Sequence, residues 1–133
     1  MRRKGRVVIH MKKKEYKRAR KRFRTIFDKW HRPLGLLWWH IEIYYHKKTP
    51  KSFKKKNGKV VVARVTARWE YAEATINVNI PAVAQMDDAE LENLVVHEMC
   101  HILVAEMREK GIKHEERVCS MLSQAFLWTK EGH

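Results

Sequence analysis

The chain has 133 residues, 44% of them hydrophobic, and a formal charge of +14 from 29 Lys and Arg against 15 Asp and Glu. That length suits one domain spanning 1–133 with a core of its own, and the apolar content excludes a disordered polymer. Two cysteines exclude a disulfide-stapled secreted framework, and no run approaches the ~18 apolar residues of a membrane span.

The charge is uneven. Residues 1–32 hold 15 basic and 2 acidic side chains, residues 33–86 hold 9 and 3, and residues 87–133 hold 5 and 10. One end of the chain therefore favours polyanions, and nucleic acid is the natural partner to weigh for it. The opening "MRRKGRVVIHMKKK" has the charge of a signal peptide without its long apolar stretch. A soluble, cytoplasmic protein with no membrane partner is expected.

Residues 11–31 read as a basic amphipathic helix. Tyr16, Ala19, Phe23, Ile26, Phe27 and Trp30 recur at three and four, and Lys13, Lys14, Lys17, Arg18, Lys21 and Arg22 fill the other side. The apolar stripe points to core. The basic face is solvated at minimum and is suited to lie along a phosphate backbone. Pro33 and Gly35 end the helix.

Three strands follow. In 36–45 "LLWWHIEIYY", Leu37, Trp39, Ile41, Ile43 and Tyr45 share a face. The polar, basic 46–59, with Pro50 and Asn57-Gly58, reads as a hairpin connection to the strand 60–71. A third strand covers 74–80, with Ala74, Ile76, Val78 and Ile80 inward and Thr75, Asn77 and Asn79 outward, stopped by Pro81. The polar face of this third strand suggests an exposed edge where an extended peptide pairs.

From Asp87 the period becomes 3.6. Asp87 and Glu90 have capping-box spacing, the helix is expected to run from Asp88 to Lys110, and Gly111 supplies a stop. A last helix covers about His114 to Thr129. The layout is α+β: an N-terminal helix, a three-stranded, mostly antiparallel sheet, a long helix and a C-terminal helix.

The long helix carries "VVHEMCH", residues 95–101. His97 and His101, four apart, lie on one face and can aim a nitrogen at one ion about 2 Å away. Glu98 is one step round, within reach of a water on that ion, and its carboxylate can take the proton that zinc acidifies. This is the chemistry of the His-Glu-x-x-His pattern. A catalytic zinc needs a third protein ligand. Candidates are Glu115, favoured because it shares the stripe of Val118 and Leu122; His114, on the flank of Val118 and Met121; and Glu116, on a more polar face. Packing is the role expected for Cys100 and Cys119. His133 in the tail "TKEGH" reads as disordered tail before it reads as a further ligand.

The stretches "GLLWWHIEIYY", "ARVTARWEYAEATINVNIPAVAQM", "DDAELENLVVHEMCHILVAEM" and "KHEERVCSMLSQAF" resemble the small zincin metallopeptidases among SprT-like proteins and phage genomes. The resemblance implies a minimal zincin: an active-site helix, a sheet beside it, a following helix with the third ligand, a Zn2+ cofactor, and a protein or peptide substrate. In gluzincin-type members that ligand is a Glu, which maps onto Glu115. In typical SprT proteins it is a His followed by Gly, whereas His114 is followed by Glu here, and no zinc-ribbon cysteines follow. The alternative is a basic nucleic-acid-binding module whose metal is structural or absent. Some relatives act on proteins bound to DNA, which the basic helix would suit.

Overall fold

A computed structural model describes residues 11–108 and 114–130. Helix α1 spans Lys13–His31, and its buried residues are Ala19, Phe23, Phe27 and Trp30, the apolar stripe read from the sequence. Strands β1, β2 and β3 span His40–His46, Ala63–Arg68 and Glu73–Asn79. A short helix α2, Ile80–Val83, precedes α3, Asp88–Leu103; α4 is Ala105–Arg108 and α5 is Glu115–Lys130. The architecture is α+β with an N-terminal and a C-terminal helix flanking a three-stranded sheet.

The sheet order is β1-β3-β2, so β3 is the central strand and not the edge. It pairs parallel with β1 and antiparallel with β2, with Ile76 opposite Ile43 on one side and Val65 on the other. The polar face of β3 marked which side of the sheet is wet, not which strand is unpaired. Asn79, expected outward, is fully buried: its amide donates to the Val61 carbonyl and its oxygen accepts from the Thr49 hydroxyl, both at 3.1 Å.

The 46–59 segment is correspondingly no hairpin between β1 and β2, because β3 lies between them. Asn57-Gly58 does turn the chain, with Gly58 at φ +80°. That turn joins only the isolated bridge of Lys54 and Val60. Likewise β1 begins at His40. Leu37 sits in a turn closed by Trp39 N–H to the Leu36 carbonyl (3.0 Å), so Leu36 is buried and Leu37 exposed.

Helix α3 starts where the capping box puts it: Glu90 N–H donates to Asp87 Oδ1 (2.8 Å) and Asp87 N–H to Glu90 Oε1 (3.1 Å). Such a cap stabilises a helix by about 1 kcal/mol. It ends earlier than expected, at Leu103, where Val104 leaves helical geometry (φ −97°, ψ 5°) before α4 resumes. The Gly111 stop and the His133 tail lie outside the described residues. The buried residues of α3 include Leu91, Val95, Val96, Met99, Cys100 and Ile102, a wider surface than one stripe. Those side chains join α1, the inner face of the sheet and Cys119 of α5 in one hydrophobic cluster. Among the described residues no helix is long and apolar enough to cross a membrane.

Glu92 ties the three long helices together. Its carboxylate accepts from Trp30 Nε1–H (2.8 Å) and Lys29 Nζ (2.8 Å) of α1, and from Lys130 Nζ (2.7 Å) of α5. Burial opposes its ionisation, but the hydrogen bonds from Lys130, Lys29 and Trp30 outweigh that and lower its pKa from 4.5 to about 2. A depressed carboxyl contributes stability above its unfolded pKa and loses it as pH falls through the folded one. Glu92→Gln should therefore destabilise the protein by about 2 kcal/mol at neutral pH, once the solvent exposure of the lysines is discounted. In denaturant melts the difference should shrink as pH drops from 4.5 toward 2; a difference independent of pH would contradict the role given to Glu92.

Candidate metal centre

Helix α3 brings His97 and His101 together as their spacing requires, with Nε2 atoms 3.2 Å apart. Helix α5 packs across α3 and delivers its first turn to the same place. Glu116 Oε2 lies 3.0 Å from His97 Nε2, and Glu116 Oε1 lies 3.0 Å from His101 Nε2. The two imidazole nitrogens and the two oxygens of one carboxylate thus lie together, each nitrogen 3.0 Å from one oxygen and 3.2 Å from the other nitrogen. Ligands bonded at about 2.0 Å in a tetrahedron are about 3.3 Å apart, so these separations are close to those an ion such as zinc requires. The chemistry of the set, two imidazoles and one carboxylate, fits as well.

The two remaining ring nitrogens are held from behind. His101 Nδ1 is 2.5 Å from Glu115 Oε2, with Cys119 Sγ at 3.5 Å. A carboxylate only accepts, so a proton on Nδ1 donated to Glu115 would leave Nε2 its lone pair for an ion on the cleft side. His97 Nδ1 faces the Ser120 hydroxyl at 3.4 Å.

The acidic pair at the start of α5 stands on two sides of His101, Glu115 at Nδ1 and Glu116 at Nε2. Glu115 does face inward, with its side chain 18% exposed, but inward is the back of His101. Glu116, 78% exposed, stands on the open side with both Nε2 atoms. His114 takes a left-handed backbone conformation (φ +59°), is exposed, and belongs to neither cluster of potential ligands among the described residues. The second such cluster is His101, Glu115 and Cys119, on the Nδ1 side of His101. Both cysteines are buried and free, and burial pushes the Cys100 and Cys119 thiols up to about 11 and about 12. They stay protonated at neutral pH, which suits packing.

Glu98 is 8% exposed and lines the same cleft as this cluster. Burial, then the charge of Glu116, push its pKa up to about 8, while Arg64 acts to lower it. The cluster opens into a cleft of ≈ 960 Å³. One wall is α3, with Asn93 and Leu94; the other is the 61–65 stretch that leads into and begins β2; Glu115 and Glu116 close one end. Strand β2 is an edge of the sheet, so the edge beside the site is β2 and not the third strand. Neither Ser120 nor Arg64 had a signal in the sequence, since each reaches the site only through tertiary packing.

The model of the SprT-like family matches residues 36–128. The chain belongs to the SprT-like family. This is a zincin-like metallopeptidase-type family, and the match takes in β1 to β3, the His97–His101 helix and nearly all of α5. No curated protein and no solved structure matches the chain. As a SprT-like domain it carries the candidate ligands His97, His101 and Glu116 on the two helices that such a centre needs.

Separate substitutions distinguish the two carboxylates. Glu116→Ala should cause the larger loss of zinc affinity, measured by chelator competition. Glu115→Gln should weaken it by about 10–100-fold, the usual effect of removing a partner behind a ligand histidine. The reverse order would make Glu115 the ligand.

Proposed function

We propose that this SprT-like protein is a zinc-dependent endopeptidase acting on extended protein or peptide segments. The observation that supports it most is the buried carboxylate of Glu98 lining the same cleft as His97, His101 and Glu116. A structural zinc site is closed by four protein ligands, whereas a catalytic one keeps three and an open position. A zinc ion held by His97, His101 and Glu116 would supply a Lewis acid that polarises the substrate carbonyl and acidifies water.

The rest of the chemistry belongs to the chain. Glu98 accepts a proton from the attacking water as its oxygen bonds to the carbonyl carbon. It then passes that proton to the amine nitrogen as the C–N bond breaks. Glu115 and Ser120 hold the two imidazoles so that neither ring turns away from the cleft. Strand β2 offers an unpaired edge alongside, and an extended peptide added there would be aligned by main-chain hydrogen bonds. Val62, Ala63 and Val65 of this wall present small or branched apolar side chains, so alignment by backbone rather than by one deep pocket is the expected mode.

Glu98→Gln should retain one zinc per chain and lose hydrolysis of an unfolded protein such as casein by about 10²–10⁴-fold, the usual contribution of a general base. Equal turnover by wild type and variant would end the role given to Glu98.

A further inference from the structure

Among the described residues, a dense run of positive charge lies on α1, outside the lining of the cleft. Between Glu15 and Asp28, α1 carries Lys17, Arg18, Arg20, Lys21, Arg22 and Arg24 and no carboxylate. Its apolar stripe is committed to the core, so this helix cannot turn that face toward lipid as an interfacial helix must. What remains outward is cationic: Lys14, Lys17, Arg18, Lys21 and Arg24 are all exposed. They recur at three and four residues along about 15 Å of one helix face. Like charges at that spacing weaken the helix that carries them, so the array stands against local stability.

Most of these charges have no use inside the fold. Arg22 and Lys29 turn to Asp88 and Glu92 of α3 and serve structure. Of the five outward cations, Arg24 alone has an ion-pair partner among the described residues, Asp28 at 3.0 Å. Arg20 lies 4.8 Å from the Tyr45 ring centroid, and Lys47, just after β1, lies 5.1 Å from that of Tyr16. A shallow groove of ≈ 480 Å³ runs along this face, lined by Lys17, Arg20, Lys21, Arg24, Thr25 and Tyr45, with no acidic side chain.

We propose that this face of α1 binds the phosphate backbone of a nucleic-acid duplex. A rigid row of cations with a groove between them suits evenly spaced phosphates, and Thr25 adds a neutral donor. The rings nearest the row, Tyr16 and Tyr45, lie under Lys47 and Arg20, so they offer no platform on which the bases of a single strand would stack. Contact is therefore with phosphates and without base reading. Helix α1 packs against Tyr45 of β1, whereas the cleft adjoins β2, the other edge strand, and no residue of α1 lines it. The helix also lies outside the 36–128 family match.

The test is fluorescence anisotropy of the full chain with a labelled 20-base-pair duplex of mixed sequence, across a salt series. Neutralising four or five phosphates gives a log–log salt slope of about −4. The triple variant Lys14→Glu, Lys17→Glu, Lys21→Glu should bind at least tenfold more weakly at 0.1 M salt, with helical content by circular dichroism and peptide turnover unchanged. A matched variant, Lys51→Glu, Lys56→Glu, Lys59→Glu, changes the charge equally on the 46–59 segment and should lose less than threefold. Equal losses from the two variants would mean attraction to net charge alone, and would overturn the assigned surface. So would undiminished binding by the α1 variant. Tighter binding to phosphatidylserine vesicles than to the duplex would make the partner a lipid surface and overturn the proposal as well.

Discussion

Two imidazoles held four residues apart on α3, each fixed from behind so that its Nε2 faces the other at 3.2 Å, form the constraint around which this molecule is arranged. Polar rings on a helix otherwise buried among Leu91, Val95, Val96 and Met99 are costly unless every nitrogen finds a partner. The chain meets that demand with one helix. The first two turns of α5 place Glu115 and Ser120 at the Nδ1 sides and Glu116 at the Nε2 side. The position of α5 is thus a condition for the site, and the contacts that hold α5 against α3 are part of its chemistry.

Glu92 is the clearest of those contacts. By accepting from α1 and α5 at once it fixes both helices to α3 through one partly buried carboxylate. A basic N-terminal helix and the acidic C-terminal part of the chain are thereby joined at a point where opposite charge is worth more than at the open surface. The same division of charge leaves the outer face of α1 cationic, while the cleft is mixed, with Glu90, Glu115 and Glu116 beside Lys55 and Arg64. Two surfaces of different electrostatic character therefore sit on opposite edges of a three-stranded sheet.

Much of this was legible in the sequence, for reasons that can be stated. The α1 stripe, the capping box at Asp87 and the facing of His97 and His101 depend on spacing within one helix, and local spacing survives folding. The sheet order and the ligand ranking depend on how distant segments meet. Asn77 and Asn79 looked like an exposed edge, yet Asn77 bonds His46 and Asn79 bonds Val61 and Thr49. The inward face of α5 rightly marked Glu115 as the more buried carboxylate. Burial, however, identifies the residue on the Nδ1 side of His101, and the carboxylate that meets both Nε2 atoms on the exposed side is Glu116. The crossing of α5 over α3 decides which is which, and no periodicity encodes it.

The central claim is a coordination sphere of two imidazoles and a carboxylate on the cleft side of α3. X-ray absorption at the zinc edge of the purified full chain measures that sphere directly. The expected spectrum has nitrogen and oxygen scatterers at about 2.0–2.1 Å, two of them imidazole, and no sulfur. A sulfur scatterer at about 2.3 Å would place the ion with Cys119 on the far side of His101, and a protein that takes up no zinc would remove the centre altogether.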